Sequence, residues 1–221
     1  MKRFAGVASL WLVGTFCAGT ASAQAQTTGS DQRIYAEFHG GPTLGHKSDT
    51  FIGAEAGLRI VFGLDVFIEG GQMKNVGTDQ LDATAALIAT CCIPSGTVSS
   101  TSMKVNYVNF GVRYHLNMIP RVHPYVLLGA GSGRVTTQAT FMVNGAVVDP
   151  AAFGVQVGGD LSGTTRKNML IVGFGVNVPF LQRFYADIGY RYGQVFSKID
   201  EIETDTSLKT QRVLFGVGVR F

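Results

Sequence analysis

Few groups in this sequence can do covalent or proton chemistry, and their spacing limits what each can do. Cys91 and Cys92 are adjacent. In an exported chain such a pair can close a disulfide, switch with redox state or ligate a metal, and His46 can join them only if their loops meet. Neighbouring thiols do not match zinc-ligand spacing, which leaves a loop disulfide or two oxidisable thiols as the reading. His39 and His115 fall on polar faces of alternating segments, where a histidine serves a charge network more readily than it serves as a catalytic base. Ser99, Ser100 and Ser102 cluster without a local His or Asp and read as a flexible loop. Asp200, Glu201, Glu203 and Asp205 form an acidic run that can hold divalent cations, although a solvated loop accounts for it as well. No nucleophile motif, cofactor motif or metal set emerges, so the residues predict no enzyme, no cofactor and no metal.

The charged residues are more telling once the elements that carry them are considered. Ile34, Ala36 and Phe38 alternate with Arg33, Tyr35 and Glu37. The same period of two runs through 52–62, 64–69, 107–114, 125–133, 170–178, 184–192 and 213–221, giving eight segments with two chemically different faces. The connections alternate between short and long. A tight turn lies at Gly63 and short links around Pro120 and at 179–183, while stretches near 74–102 and 137–167 are long. A hairpin is predicted at 141–148 around Asn144-Gly145. It either extends two strands or adds a pair to make a ten-stranded barrel.

Alternation does not say which face is wet. The polar faces here are poor in lysine and rich in glycine, tyrosine and arginine, unlike the exterior of a soluble carrier. The apolar faces end in aromatics at the short-turn side, at Phe62, Tyr114, Phe180, Phe184 and Phe221, as an interfacial girdle does. If lipid meets the apolar face, only a closed sheet satisfies the backbone. The polar face then becomes an interior holding Arg33, Glu37, Glu55, Arg59, Asp65, Glu69, Arg113, Asp187, Arg191, Arg212 and Arg220. An eight-stranded bore is just wide enough for side chains to fill, so these charges are expected to pair with one another. Gly129, Gly131, Gly133, Gly173 and Gly175 are expected to make room for the longer side chains opposite.

The N-terminus has the order of a secretory signal: Lys2-Arg3, an apolar run to Phe16, and Ala21-Ser22-Ala23. That run is too short for a membrane helix, which needs about 20 apolar residues. Residues 1–23 are thus expected to be a cleaved signal peptide and 24–221 a single barrel domain. Removing Lys2 and Arg3 from the 18 basic residues leaves 16 against 15 acidic ones, a net +1 that implies no nucleic-acid partner.

Signal, eight alternating segments, loop rhythm and the terminal Val217-Gly218-Val219-Arg220-Phe221 together resemble the small outer-membrane barrels of Gram-negative bacteria, the OmpA/OmpX-like and opacity-protein group. The resemblance implies an all-β, eight-stranded antiparallel up-and-down transmembrane β-barrel in the bacterial outer membrane. It further implies a monomer contacting outer-membrane lipids and lipopolysaccharide, assembled by the barrel-assembly machinery through its C-terminal strand. The expected function is non-enzymatic, exerted through extracellular loops in envelope integrity, adhesion or surface binding. A narrow solute channel and a lipid-modifying enzyme are the alternatives.

Overall fold

Each strand exists because every second side chain is apolar and faces one way. The computed structural model describes residues 33–116, 121–155, 161–196 and 208–221. It contains β1 (Ile34–Leu44), β2 (Thr50–Val61), β3 (Leu64–Met73), α1 (Asp79–Cys92), β4 (Gly96–His115) and β5 (His123–Val143). Beyond these come β6 (Ala146–Val148), a 3-10 turn (Pro150–Phe153), β7 (Ser162–Pro179), β8 (Phe184–Phe196) and β9 (Leu208–Arg220). All pairings are antiparallel, and the sheet closes: β1 pairs with both β2 and β9, and β4 with both β3 and β5. Eight strands form the ring, and the three-residue β6 lies outside it.

Exposure alternates with the register, and the exposed side is the apolar one. Phe38 is 64% exposed and Phe110 65%, whereas Glu69 on the other face is fully buried. Inside, Tyr35, Phe51, Met73, Val105, Tyr107, Tyr125, Ile171 and Leu214 belong to one continuous core cluster. The tyrosines explain much of the glycine content. Tyr35 pairs across the sheet with Gly57, Tyr107 with Gly71, Tyr125 with Gly175 and Tyr185 with Gly218. A Cβ at any of these glycines would collide with the facing phenol. Of the five glycines expected to make room for longer side chains, Gly175 yields to Tyr125, Gly173 to Arg191 and Gly131 to Asn109.

The 74–102 stretch departs from the expected loop. Residues 79–92 form α1, capped by the Thr78 side chain, which accepts from the Leu81 amide. Leu81, Ala85 and Ala89 recur at helical spacing on its buried face and pack with Ile93, Phe141 and Leu161. Ser99, Ser100 and Ser102 belong to β4, because pairing with β5 continues up to Gly96 opposite Val143. The 141–148 hairpin forms as β5–β6, with positive φ at Asn144 (51°) and Gly145 (81°), the signature of a two-residue primed turn. It extends β5 and adds no pair to the ring. Residues 1–23, the link at Pro120 and the acidic run at 200–205 lie outside the described residues.

Candidate functional site

The register places like charges side by side and leaves their neutralisation to the opposite wall. Glu37, Glu55 and Glu69 are cross-strand partners in one row over β1, β2 and β3. Arg191 and Arg212 are partners in a row over β8 and β9. Adjacent like charges destabilise a sheet by themselves. Across the interior they join in one alternating chain. Arg113 Nη1 lies 3.5 Å from Glu37 and its Nη2 2.7 Å from Glu55. Arg191 bridges Glu55 at 2.8 Å and Glu69 at 2.7 Å, and Arg212 ends the chain on Glu69 at 3.0 Å. Three carboxylates thus face three guanidinium groups, all buried.

Tyrosine and histidine complete these contacts. The Tyr35 hydroxyl donates to Glu55 at 2.6 Å, Tyr107 to Glu69 at 2.9 Å and Tyr185 to Glu37 at 3.0 Å. His39 lies between Glu37 (3.3 Å) and Glu69 (3.2 Å). Arg113 stacks over the Tyr125 ring at 4.3 Å, and Arg212 over Tyr107 at 4.4 Å. Toward the short turns, Asp65 accepts from Arg59 at 3.2 Å and faces His115 at 2.9 Å.

Of the eleven residues expected in the interior, six form this chain, Arg59 and Asp65 pair outside it, and Asp187, Arg220 and Arg33 belong to neither. Asp187 is buried but meets the Tyr125 hydroxyl at 2.8 Å rather than an arginine, since β8 turns Arg191 toward the glutamates. Arg220 is half-buried over the Tyr185 ring at 4.7 Å. Arg33 is exposed, one residue before β1. The phenols were within reach of the sequence, because all four occupy the polar face, but nothing in their spacing named their carboxylates. Phe62, Tyr114, Phe180, Phe184 and Phe221 are exposed on the outside at the short-turn end. Phe180 and Phe184 stack at 6.3 Å.

At the opposite end, β4, β5 and β7 run well past their neighbours, and α1 rests on the inward side of this extension. Asp82 of α1 accepts from Lys47 Nζ at 2.8 Å and from the Thr101 hydroxyl, and lies 3.0 Å from His46. His46 also contacts Asp79 at 2.5 Å. The loop after β1 is thereby tied to the helix. Cys91 and Cys92 are joined as a disulfide at the exposed end of α1. Among the described residues no set of three or more His, Cys, Asp or Glu could hold a metal ion.

The helix anchor carries a pH prediction. Burial pulls the Asp82 carboxyl upward, but hydrogen bonds from Lys47, Thr101 and His46 outweigh that and hold it at about 2, below its ordinary 3.8. A value lowered by docking gives a contribution that is complete above 3.8 and lost as pH falls through 2. Protection of the α1 amides in hydrogen exchange, corrected for intrinsic rate, is therefore expected to fall over that window. Asp82→Asn should start low and stay flat; a wild-type-like fall in that variant would contradict the assignment.

The family described as outer membrane protein beta-barrel domain matches residues 8–221. Among solved structures, neisserial surface protein A is 16% identical, with 85% of this chain and 96% of that one covered at a TM-score of 0.50. The N-terminal β-barrel domain of Pseudomonas aeruginosa OprF is 14% identical, covering 86% and 98% at 0.49. Ail, the attachment invasion locus protein of Yersinia pestis, is 18% identical, covering 86% and 97% at 0.44. At such identities the likeness concerns the fold alone. No curated protein matches the sequence.

Proposed function

Because this chain belongs to the outer membrane protein β-barrel family, we propose that it is a non-enzymatic barrel whose lumen is closed by its own side chains and whose work is done at its outer face. The observation that carries this reading is the alternating chain from Glu37 to Arg212, which links β1, β2, β3, β4, β8 and β9 across the bore. Above it lies an apolar layer containing Phe51, Met73, Val105 and Val195, and α1 packs on the inward side of the sheet beyond that. An ion crossing this layer would have to break pairs that cannot be rehydrated at low cost.

Residues 1–23 act in this reading as the cleaved export signal, and the strand ending at Phe221 as the segment engaged during assembly. The barrel is monomeric in outer-membrane lipid and lipopolysaccharide. The surface role, in envelope integrity, adhesion or surface binding, falls to α1 and the β5–β6 hairpin, which expose Leu87 and Val147 at 66% each. Planar bilayers carrying the refolded protein are expected to show no steady conductance. Stable single-channel openings would replace the closed-lumen reading with a narrow channel.

A further inference from the structure

The interior shows how this sheet treats rows of like charge: each is answered by a row of opposite sign. Among the described residues, one row on the outside has no such answer. Arg134 on β5 and Arg166 on β7 are direct cross-strand partners and both are exposed on the outer face. Asn106 and Gln72 continue the row through β4 and β3, and Lys104 stands one row higher, level with Thr136 and Thr164. Arg166 donates to the Ser132 hydroxyl at 3.3 Å and 3.4 Å. Among the described residues no carboxylate pairs with Arg134, Arg166 or Lys104. The two arginines flank a depression of about 540 Å³ lined also by Asn106, Ser132 and Thr164, with no acidic side chain in its wall.

Position adds what charge alone does not. Directly below this row stand Val108, Ser132 and Asn168, and beneath them the outer face becomes apolar, through Phe110, Ala130 and Leu170, then Val112, Leu128 and Val172. Arg134 stands eight residues along β5 from Val126, the partner of Tyr114 in the short-turn girdle. At ~3.3 Å per residue and a tilt of about 40°, that is roughly 20 Å of height, near the top of an apolar band about 25 Å tall. The depression therefore sits where the headgroups of the outer leaflet begin.

We propose that the Arg134–Arg166 depression binds the phosphate of a phosphorylated glycolipid of the outer leaflet, of the lipid A class, whose acyl chains lie on the apolar wall beneath it. Guanidinium groups suit phosphate by their planar, multiply donating geometry. A phosphate between them removes the repulsion that the register builds in, while Ser132, Thr164 and Asn106 offer hydrogen bonds to its sugar. A free anion would make no use of the wall below. The inference rests on that wall facing lipid, as in the reading above, but not on the closed lumen, which conductance tests separately.

The test uses the full barrel folded in detergent micelles, with native mass spectrometry counting retained ligand. The probes are diphosphorylated lipid A, the same lipid after phosphate removal, and inorganic phosphate. The wild type is expected to retain the diphosphorylated lipid at least about tenfold more tightly than the dephosphorylated one, the scale of two charge-assisted contacts. Arg134→Ala/Arg166→Ala should lose that preference and Lys209→Ala, on β9, should keep it. Arg134→Gln/Arg166→Gln serves if the alanine pair fails to fold, with heat-modifiable gel migration reporting folding. Equal retention of both lipids by the wild type, or a preference surviving in the double variants, overturns the proposal. Occupancy by inorganic phosphate alone that displaces the lipid would make this a free-anion site and overturn it too.

Discussion

Glu69→Ala is expected to destabilise the folded barrel by about 3–5 kcal/mol, the usual cost of stripping one partner from a buried ion pair. Glu69 is fully buried and answers Arg191, Arg212, the Tyr107 hydroxyl and His39 together. Its removal leaves Arg212 without a carboxylate in the described network, whereas Arg191 keeps Glu55. The cost is therefore mostly that of Arg212 stranded beside Arg191, its partner across the sheet. Glu69→Met/Arg212→Met removes both charges and should cost clearly less than Glu69→Met alone, a non-additivity that a generic cavity would not produce. Urea unfolding in lipid vesicles, followed by gel mobility, measures each. A single-variant loss below about 1 kcal/mol, or a double variant worse than Glu69→Met, would show that the chain of charges does not hold the interior together.

How much of this was legible in the sequence depends on whether a signal was local or crossed the barrel. The period of two in segments such as 107–114 and 170–178 fixed strand identity and facing, since one slip of register would turn Arg113 into the lipid and Phe110 into the bore. The aromatics at Phe62, Tyr114, Phe184 and Phe221 marked one end of the barrel. What the sequence could not order was the partnership between distant strands. Arg191 reaches Glu55 across 136 positions, and nothing near either residue names the other. Asp187 illustrates the same limit, because its tyrosine partner lies on β5. The helix is hidden for a different reason. Its spacing of Leu81, Ala85 and Ala89 was visible, but serines and threonines around it suggested a loop, and its burial depends on Phe141 and Leu161 from far along the chain. Ser99, Ser100 and Ser102 hold strand structure only because β5 runs alongside them. The outward Arg134–Arg166 pair was equally hidden, since it becomes a pair only through the β5–β7 register.

Leu128→Arg is expected to cost about 2 kcal/mol in a bilayer, the penalty for a cation one row above the short-turn girdle and inside the apolar band of a lipid-facing wall. Leu128 is 60% exposed, and its cross-strand partners Val112 and Val172 share its outward face. In water such a residue could become arginine at almost no cost, so the substitution separates a lipid exterior from a wet one. Thr136→Arg on the same strand and face lies two rows above Ser132, beyond the apolar band, and should cost no more than about 1 kcal/mol. The gradient between the two matters more than either value, because a local packing defect would not track height along β5. Unfolding in vesicles should show it, with detergent-free solubility of each variant as the counter-measurement. Equal costs at both positions, or a Leu128→Arg protein that folds and stays dissolved without detergent, would mean that the apolar face does not meet lipid. The girdle at Phe221 and the phosphate site at Arg134 would then lose the boundary that gives each its place.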